Sequence, residues 1–215
     1  MSKQWMNWSS RLKTSRWATD GLDTFTVIFD ACVLYPAPLR DVLLELSVEG
    51  IFLARWTDQI HDEWIRNVLA NNPHISDEQL ARTRTLMDQA VPDCLVTGHE
   101  SLAAGLALPD PNDRHVLAAA IVAHAGAIVT FNTKDFPDHV LESYGLEALH
   151  PDDFLIYQFD LAQETVCTAI KRLRSRLKRP PMDVETYLAC LARQQLPKLV
   201  QKLQPFKHLL SSEPI

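Results

Sequence analysis

Glycine is scarce in this chain, with six among 215 residues. None falls in a GxGxxG or GxxxxGK[ST] arrangement, so dinucleotide-binding and P-loop readings have no support. No GxSxG or HExxH motif is present either, which removes the familiar serine-hydrolase and zinc-protease signatures. The four cysteines, Cys32, Cys94, Cys167 and Cys190, are scattered without CxxC spacing, and no signal peptide is read ahead of them. Reduced thiols in a cytoplasm are therefore expected, and a zinc ribbon or disulfide scaffold is not. Apolar runs such as Val116 to Ala123 fall far short of the ~18–20 residues that span a bilayer, so no membrane partner is expected. What remains as candidate chemistry is carboxylate.

The composition, 47% hydrophobic and 22% charged, belongs to a folded chain, and the length suits one domain with an appendage. The net charge of −6 is unevenly spread. Residues 1–24 carry four basic and two acidic side chains, residues 25–160 seven and 21, and residues 161–215 ten and four. An acidic middle lies between basic ends.

Residues 1–24 read as a basic arm containing Trp5, Trp8 and Trp17. Thr26-Val27-Ile28-Phe29 then runs into Asp30, the pattern of a strand buried on both faces. Helical spacing follows over Leu39 to Val48. Asp58 is placed to cap a second helix with Ile60, Trp64 and Val68 on its apolar face. A third helix, Ser76 to Ala90, opens with the Ser76/Gln79 spacing of a capping box, and Cys94-Leu95-Val96-Thr97 reads as a strand. Asp110 as cap and Pro111 at the first position start a buried helix from Asn112 to Ala125, ended by Gly126. Ala127 to Phe131 is a further buried strand. This order predicts an α/β fold with a mainly parallel central sheet. Beyond Pro151 the pattern is helical throughout, from Asp152 to Arg179 and, after Pro180-Pro181, from Asp183 to about Gln204.

In an open parallel sheet, ligands bind beyond the carboxyl ends of the strands. Asp30 ends the first strand, Asn132 and Asp135 follow Phe131, Asp113 lies at the start of the buried helix, and Glu63 edges the apolar face of the second. Taken singly, each has a structural reading as turn, cap or solvated helix residue. Together, four acids at one end of a sheet would repel one another, and a hard divalent cation such as Mg²⁺ or Mn²⁺ relieves that.

The stretch Asp110-Pro111-Asn112-Asp113-Arg114-His115-Val116-Leu117-Ala118-Ala119-Ala120, followed by Ala127 to Phe136, resembles the second half of a PIN domain. Val27-Ile28-Phe29-Asp30-Ala31-Cys32-Val33-Leu34 resembles that family's first strand with its aspartate. The VapC-type toxins of toxin–antitoxin pairs belong to this group. The resemblance implies a PIN-like three-layer sandwich over residues 25–155, with a basic helical extension over 156–215. It implies metal-binding, catalytic acids at Asp30, Glu63 and Asp113, the fourth position falling to Asp135 or Asn132. The implied activity is Mg²⁺- or Mn²⁺-dependent hydrolysis of RNA, transfer or ribosomal RNA among the candidates. A cognate antitoxin and a homodimer are the implied protein partners.

Lys171, Arg172, Arg174, Arg176, Lys178 and Arg179 place six cations in nine residues. A charge run is ordinarily a solvated helix face. Beside so acidic a body, Arg172, Arg174, Arg176, Lys178 and Arg179 are also candidates to contact RNA phosphates or an acidic partner, with Arg11, Lys13 and Arg16 in support. Two other functions compete: a PIN module that binds without cleaving, and an aspartate-nucleophile phosphatase built on Asp30. The latter lacks a second aspartate at position 32, where Cys32 stands.

Overall fold

The computed structural model describes residues 25–178 and 180–211. The expectations for the arm over 1–24, for Arg11, Lys13 and Arg16, and for Arg179 lie outside the described residues.

Strand β1, Thr26–Phe29, leads into a short helix α1, Ala31–Leu34, and then α2, Ala37–Val48. Strand β2, Leu53–Arg55, is followed by α3, Asp58–Asn71, α4, Asp77–Ala90, and α5, Glu100–Ala103. A single 3-10 turn, Pro111–Asp113, opens α6, Arg114–Val122, which returns to β3, Ala127–Val129. After α7, Asp138–Leu141, and β4, Glu147–Leu149, five α-helices follow among the described residues: α8 (Pro151–Leu161), α9 (Gln163–Arg176), α10 (Val184–Arg193), α11 (Pro197–Leu203) and α12 (Lys207–Ser211).

The four strands are all parallel, in the order β2-β1-β3-β4, with helices on both faces. From β1 the chain passes to one neighbour, β2, and later returns to the other, β3. The crevice between the carboxyl ends of β1 and β3 is thus the switch point where such sheets bind ligands. Parallel strands need cover on both faces, which explains the unbroken apolar β1 and the buried Ala127, Ile128 and Val129. Phe29, Phe52 and Phe154 meet edge to face, with centroids 4.9–6.3 Å apart, joining β1 to α8.

Several local details differ from the sequence expectation. Thr57, not Asp58, caps α3, its hydroxyl accepting from the Ile60 N–H at 3.1 Å, while Asp58 pairs with Arg84 of α4. The strand expected at Cys94–Thr97 is reduced to one parallel bridge between Leu95 and Trp56. Helix α6 ends at Val122, and the left-handed turn falls on His124 (φ 48°) rather than Gly126. Gly126 is needed for another reason: a Cβ there would stand 2.2 Å from the Phe25 ring. The long helix expected from Asp152 breaks at Ala162, between α8 and α9. The capping box of α4 is present, with Ser76 and Gln79 satisfying each other's backbone N–H groups.

The carboxyl-terminal helices share one core with the sheet. Val166, Ile170, Leu188, Leu191 and Leu199 are buried in the same cluster as Val27, Ile28 and Phe29. Asp152 of α8 caps α11 from a distance, its carboxylate accepting from the Lys198 and Leu199 N–H groups, both at 2.9 Å. Helix α9 rests on α2 through Glu45, which is fully buried. Arg172 donates to its Oε1 at 3.1 Å and Arg176 to both of its oxygens, at 2.8 and 3.2 Å.

Candidate active site

Asp30 stands one residue past β1 and is 4% exposed. It occupies the position before α1, yet its carboxylate makes no capping hydrogen bond. Instead Oδ2 accepts from the Thr130 hydroxyl at 2.7 Å and from the Cys32 thiol at 3.1 Å. The strand register explains this: Phe29 pairs with Val129, so the next residues, Asp30 and Thr130, emerge side by side. Thr130 also accepts from the Asn132 N–H at 2.9 Å, and Cys32 accepts from the Phe131 N–H at 3.2 Å. Burial, reinforced by the Asp30 charge, pushes the Cys32 thiol upward, so it remains protonated and serves as a donor.

Asp113 lies at the junction between the 3-10 turn and α6, and its carboxylate is likewise not used as a cap. Asp110 does the local work, accepting from the Asn112 N–H at 2.8 Å. Partial burial lifts the Asp113 carboxyl to about 7, and the charges of Asp30, Asp110, Asp135 and Glu63 add to the rise. Three elements thus bring their acids within electrostatic reach of Asp113: β1 with Asp30, α3 with Glu63, and the 3-10 turn Thr133–Asp135 with Asp135. Among the described residues, no lysine or arginine forms an ion pair with Asp30, Glu63, Asp113 or Asp135. Asn132, the alternative fourth residue, is exposed at the end of the Thr130 turn.

Glu63 is anchored from behind. His61, two residues earlier and fully buried, accepts at Nδ1 from the Trp64 indole at 3.0 Å, so its proton sits on Nε2, 2.9 Å from Asp88 Oδ1. The Trp56 indole donates to the same oxygen at 2.9 Å, tying α3 and α4 to the residue that follows β2. The Glu63 carboxylate lies 3.6 Å from His115 Nε2, an ion-pair distance too long for a hydrogen bond. No local pattern in the sequence marks Thr130, Cys32, Asp110 and His115 as neighbours of these acids. Only the fold brings them to the acids, although Asp110 and His115 do lie within the DPNDRH stretch.

The donor set, all carboxylate oxygen, fits a hard divalent cation. Among the described residues no group of three or more His, Cys, Asp or Glu side chains forms a ready metal cage. The repulsion felt by Asp113 is what a cation would relieve.

Much of the basic run has partners within the chain. Arg172 and Arg176 are engaged with Glu45, and Arg172 also with Glu49. Arg174 donates to the carbonyls of Leu210 and Met182, each at 3.0 Å. Three of the five proposed contacts are therefore committed to holding α9 against α2 and α12. Lys178 is exposed.

Comparison with known proteins identifies the architecture. The PIN domain family matches residues 26–134, half of the chain, spanning β1 to the turn that carries Asp135. This chain belongs to the PIN domain family. Within this PIN protein, residues 151–205 match a second family, the VapC50 C-terminal domain, which covers α8 to α11. A Mycobacterium tuberculosis protein described as "Putative ribonuclease VapC50" is 43% identical over 90 residues, covering 42% of this chain and 53% of that protein. The chain thus spans about half the length of the curated relative it matches. No solved structure matches. Among the described residues no helix is long and apolar enough to cross a membrane.

Proposed function

We propose that this PIN protein is a divalent-metal-dependent endoribonuclease, the toxin of a type II toxin–antitoxin pair, with residues 25–155 as its nuclease domain and 156–215 as a helical extension. The observation that carries the reading is the electrostatic convergence of Asp30, Glu63 and Asp135 on an Asp113 carboxyl lifted to about 7, with no lysine or arginine among the described residues paired to these acids. A Mg²⁺ or Mn²⁺ ion at these acids would supply polarisation of the phosphoryl oxygen and a lowered pKa for the attacking water. Asp30, Glu63 and Asp113 would hold it, with Asp135 or Asn132 completing the set. Thr130 and Cys32 fix Asp30 Oδ2, so the carboxylate is oriented before any ligand arrives. The relative's printed name supports ribonuclease activity, and its VapC designation supports an antitoxin partner. Exposed Lys178, with Arg179, remains the candidate contact for RNA or an acidic antitoxin segment.

Purified protein incubated with transfer and ribosomal RNAs tests this. Cuts should appear with Mg²⁺ or Mn²⁺, disappear with EDTA, and be lost in both Asp30→Asn and Asp113→Asn. RNA bound but left whole would favour the inert module, and phosphate released from small esters the phosphatase.

A further inference from the structure

A second concavity lies next to the acids. The turn Thr133–Asp135 has two sides: Asp135 belongs with the acidic site, while Thr133 and Lys134 line a cavity of about 540 Å³ that is widely open to solvent. Its remaining walls are Phe136, Pro137 and Asp138, then Ala148, Leu149 and His150 at the carboxyl end of β4, and Asp153 at the start of α8. The volume falls within the ~300–1,000 Å³ usual for small-ligand sites.

The lining chemistry is specific. Lys134 is exposed and, among the described residues, has no ion-pair partner. Asp153 is neutralised by Lys198, and Asp152 is turned away to cap α11. The His150 ring is held twice, its Nδ1 accepting from the Asp152 N–H at 3.1 Å and its ring meeting Phe131 edge to face at 5.3 Å. An aromatic side chain already fixed in place, an accessible cation and an acceptor carboxylate on Asp138 stand beside apolar Pro137 and Leu149. A phosphate alone would not need the aromatic and apolar walls, and an apolar ligand would not need Lys134.

We infer that this cavity is the subsite for one nucleotide of single-stranded RNA next to the cleaved bond. His150 and Leu149 would receive the base, Thr133 and Asp138 read its polar edge, and Lys134 offset the phosphate. Stacking of bases on aromatic side chains, histidine included, is the ordinary mode of single-strand recognition. This inference rests on the ribonuclease reading for its place in the reaction, but binding can be measured without cleavage.

The full chain in EDTA would be titrated with each ribonucleoside 5′-monophosphate and with inorganic phosphate, by calorimetry or amide chemical shifts. At least one nucleotide should bind tenfold or more tightly than phosphate, with shifts at Thr133–Asp138 and Ala148–His150. His150→Ala should erase preference among bases, and Lys134→Glu should weaken nucleotide binding at least tenfold, with circular dichroism verifying that both remain folded. Nucleotides binding no better than phosphate, or unaffected by both variants, would overturn the subsite. If wild type cleaves RNA and His150→Ala cuts with unchanged base preference, the subsite fails while the nuclease stands. Base-selective binding at these residues without cleavage in any metal supports the subsite and sinks the nuclease.

Discussion

The Thr130 hydroxyl donates to Asp30 Oδ2 at 2.7 Å, across 100 positions of sequence, because β1 and β3 are parallel neighbours in register. An aspartate buried to this degree needs donors, and this one comes from the strand that also leads to Asn132 and Asp135. Thr130→Val keeps the shape and removes the donor. It should cost about 1–3 kcal/mol in urea unfolding of the metal-free protein, whereas Thr130→Ser should stay near wild type. Equal stability of the valine variant would show that the bond does not hold Asp30.

Asp113 gives the metal-free protein a pH signature. Its folded carboxyl is raised to about 7 from 3.8, chiefly by burial and then by neighbouring acids. Between those values the folded state retains a proton that the unfolded state has lost, so this group's contribution to stability falls as pH rises from about 4 to 7. Asp113→Asn should flatten that slope in thermal melts. A slope the variant leaves intact would place the coupling elsewhere.

Adding Mg²⁺ or Mn²⁺ near neutral pH should release protons, since the cation favours ionised carboxylates. It should also raise the melting temperature, with about 2.7 kcal/mol of stabilisation at a hundred times Kd. Calorimetry in buffers of different ionisation enthalpy would count the protons. Asp113→Asn should release fewer.

Arg176→Met should remove two of the arginine hydrogen bonds to the fully buried Glu45 carboxylate, with Arg172 still donating to Oε1, and cost about 1.5–3 kcal/mol, read as a lower urea midpoint. Lys178→Glu, on an exposed side chain, should change stability by less than about 0.5 kcal/mol. If Arg176→Met leaves stability intact but weakens RNA binding, the arginine serves the ligand and not the fold.

Trp64→Phe removes the donor to His61 Nδ1 inside the core that carries Glu63. A loss of about 1–3 kcal/mol is expected. A native-like unfolding midpoint would mean that His61 finds another partner.

The chain's own order of residues determined much of this. β1 and β3 declare themselves as unbroken apolar runs, α4 by its capping box, and α6 by Asp110-Pro111, because burial on both faces and capping leave local marks. Asp30, Asp113 and Asp135 were legible as candidates because each follows such a mark. β2 and β4, three residues each, left too little pattern to read, and β4 has one exposed residue. The intrachain role of the basic run was not legible, because six cations within one segment look the same in sequence whether they face water or a buried Glu45.

What only the tertiary structure decided is which distant groups became neighbours. Strand register put Thr130 and Cys32 on Asp30, and packing of α9 on α2 turned Arg172 and Arg176 inward. The order of the strands set Lys134 and His150 around a cavity beside the acids. Local propensity acts over a few residues, whereas hydrogen-bond satisfaction and charge pairing depend on contacts between segments far apart in the chain. The carboxylates could be found by reading along the sequence; what holds them, and what lies next to them, required the fold.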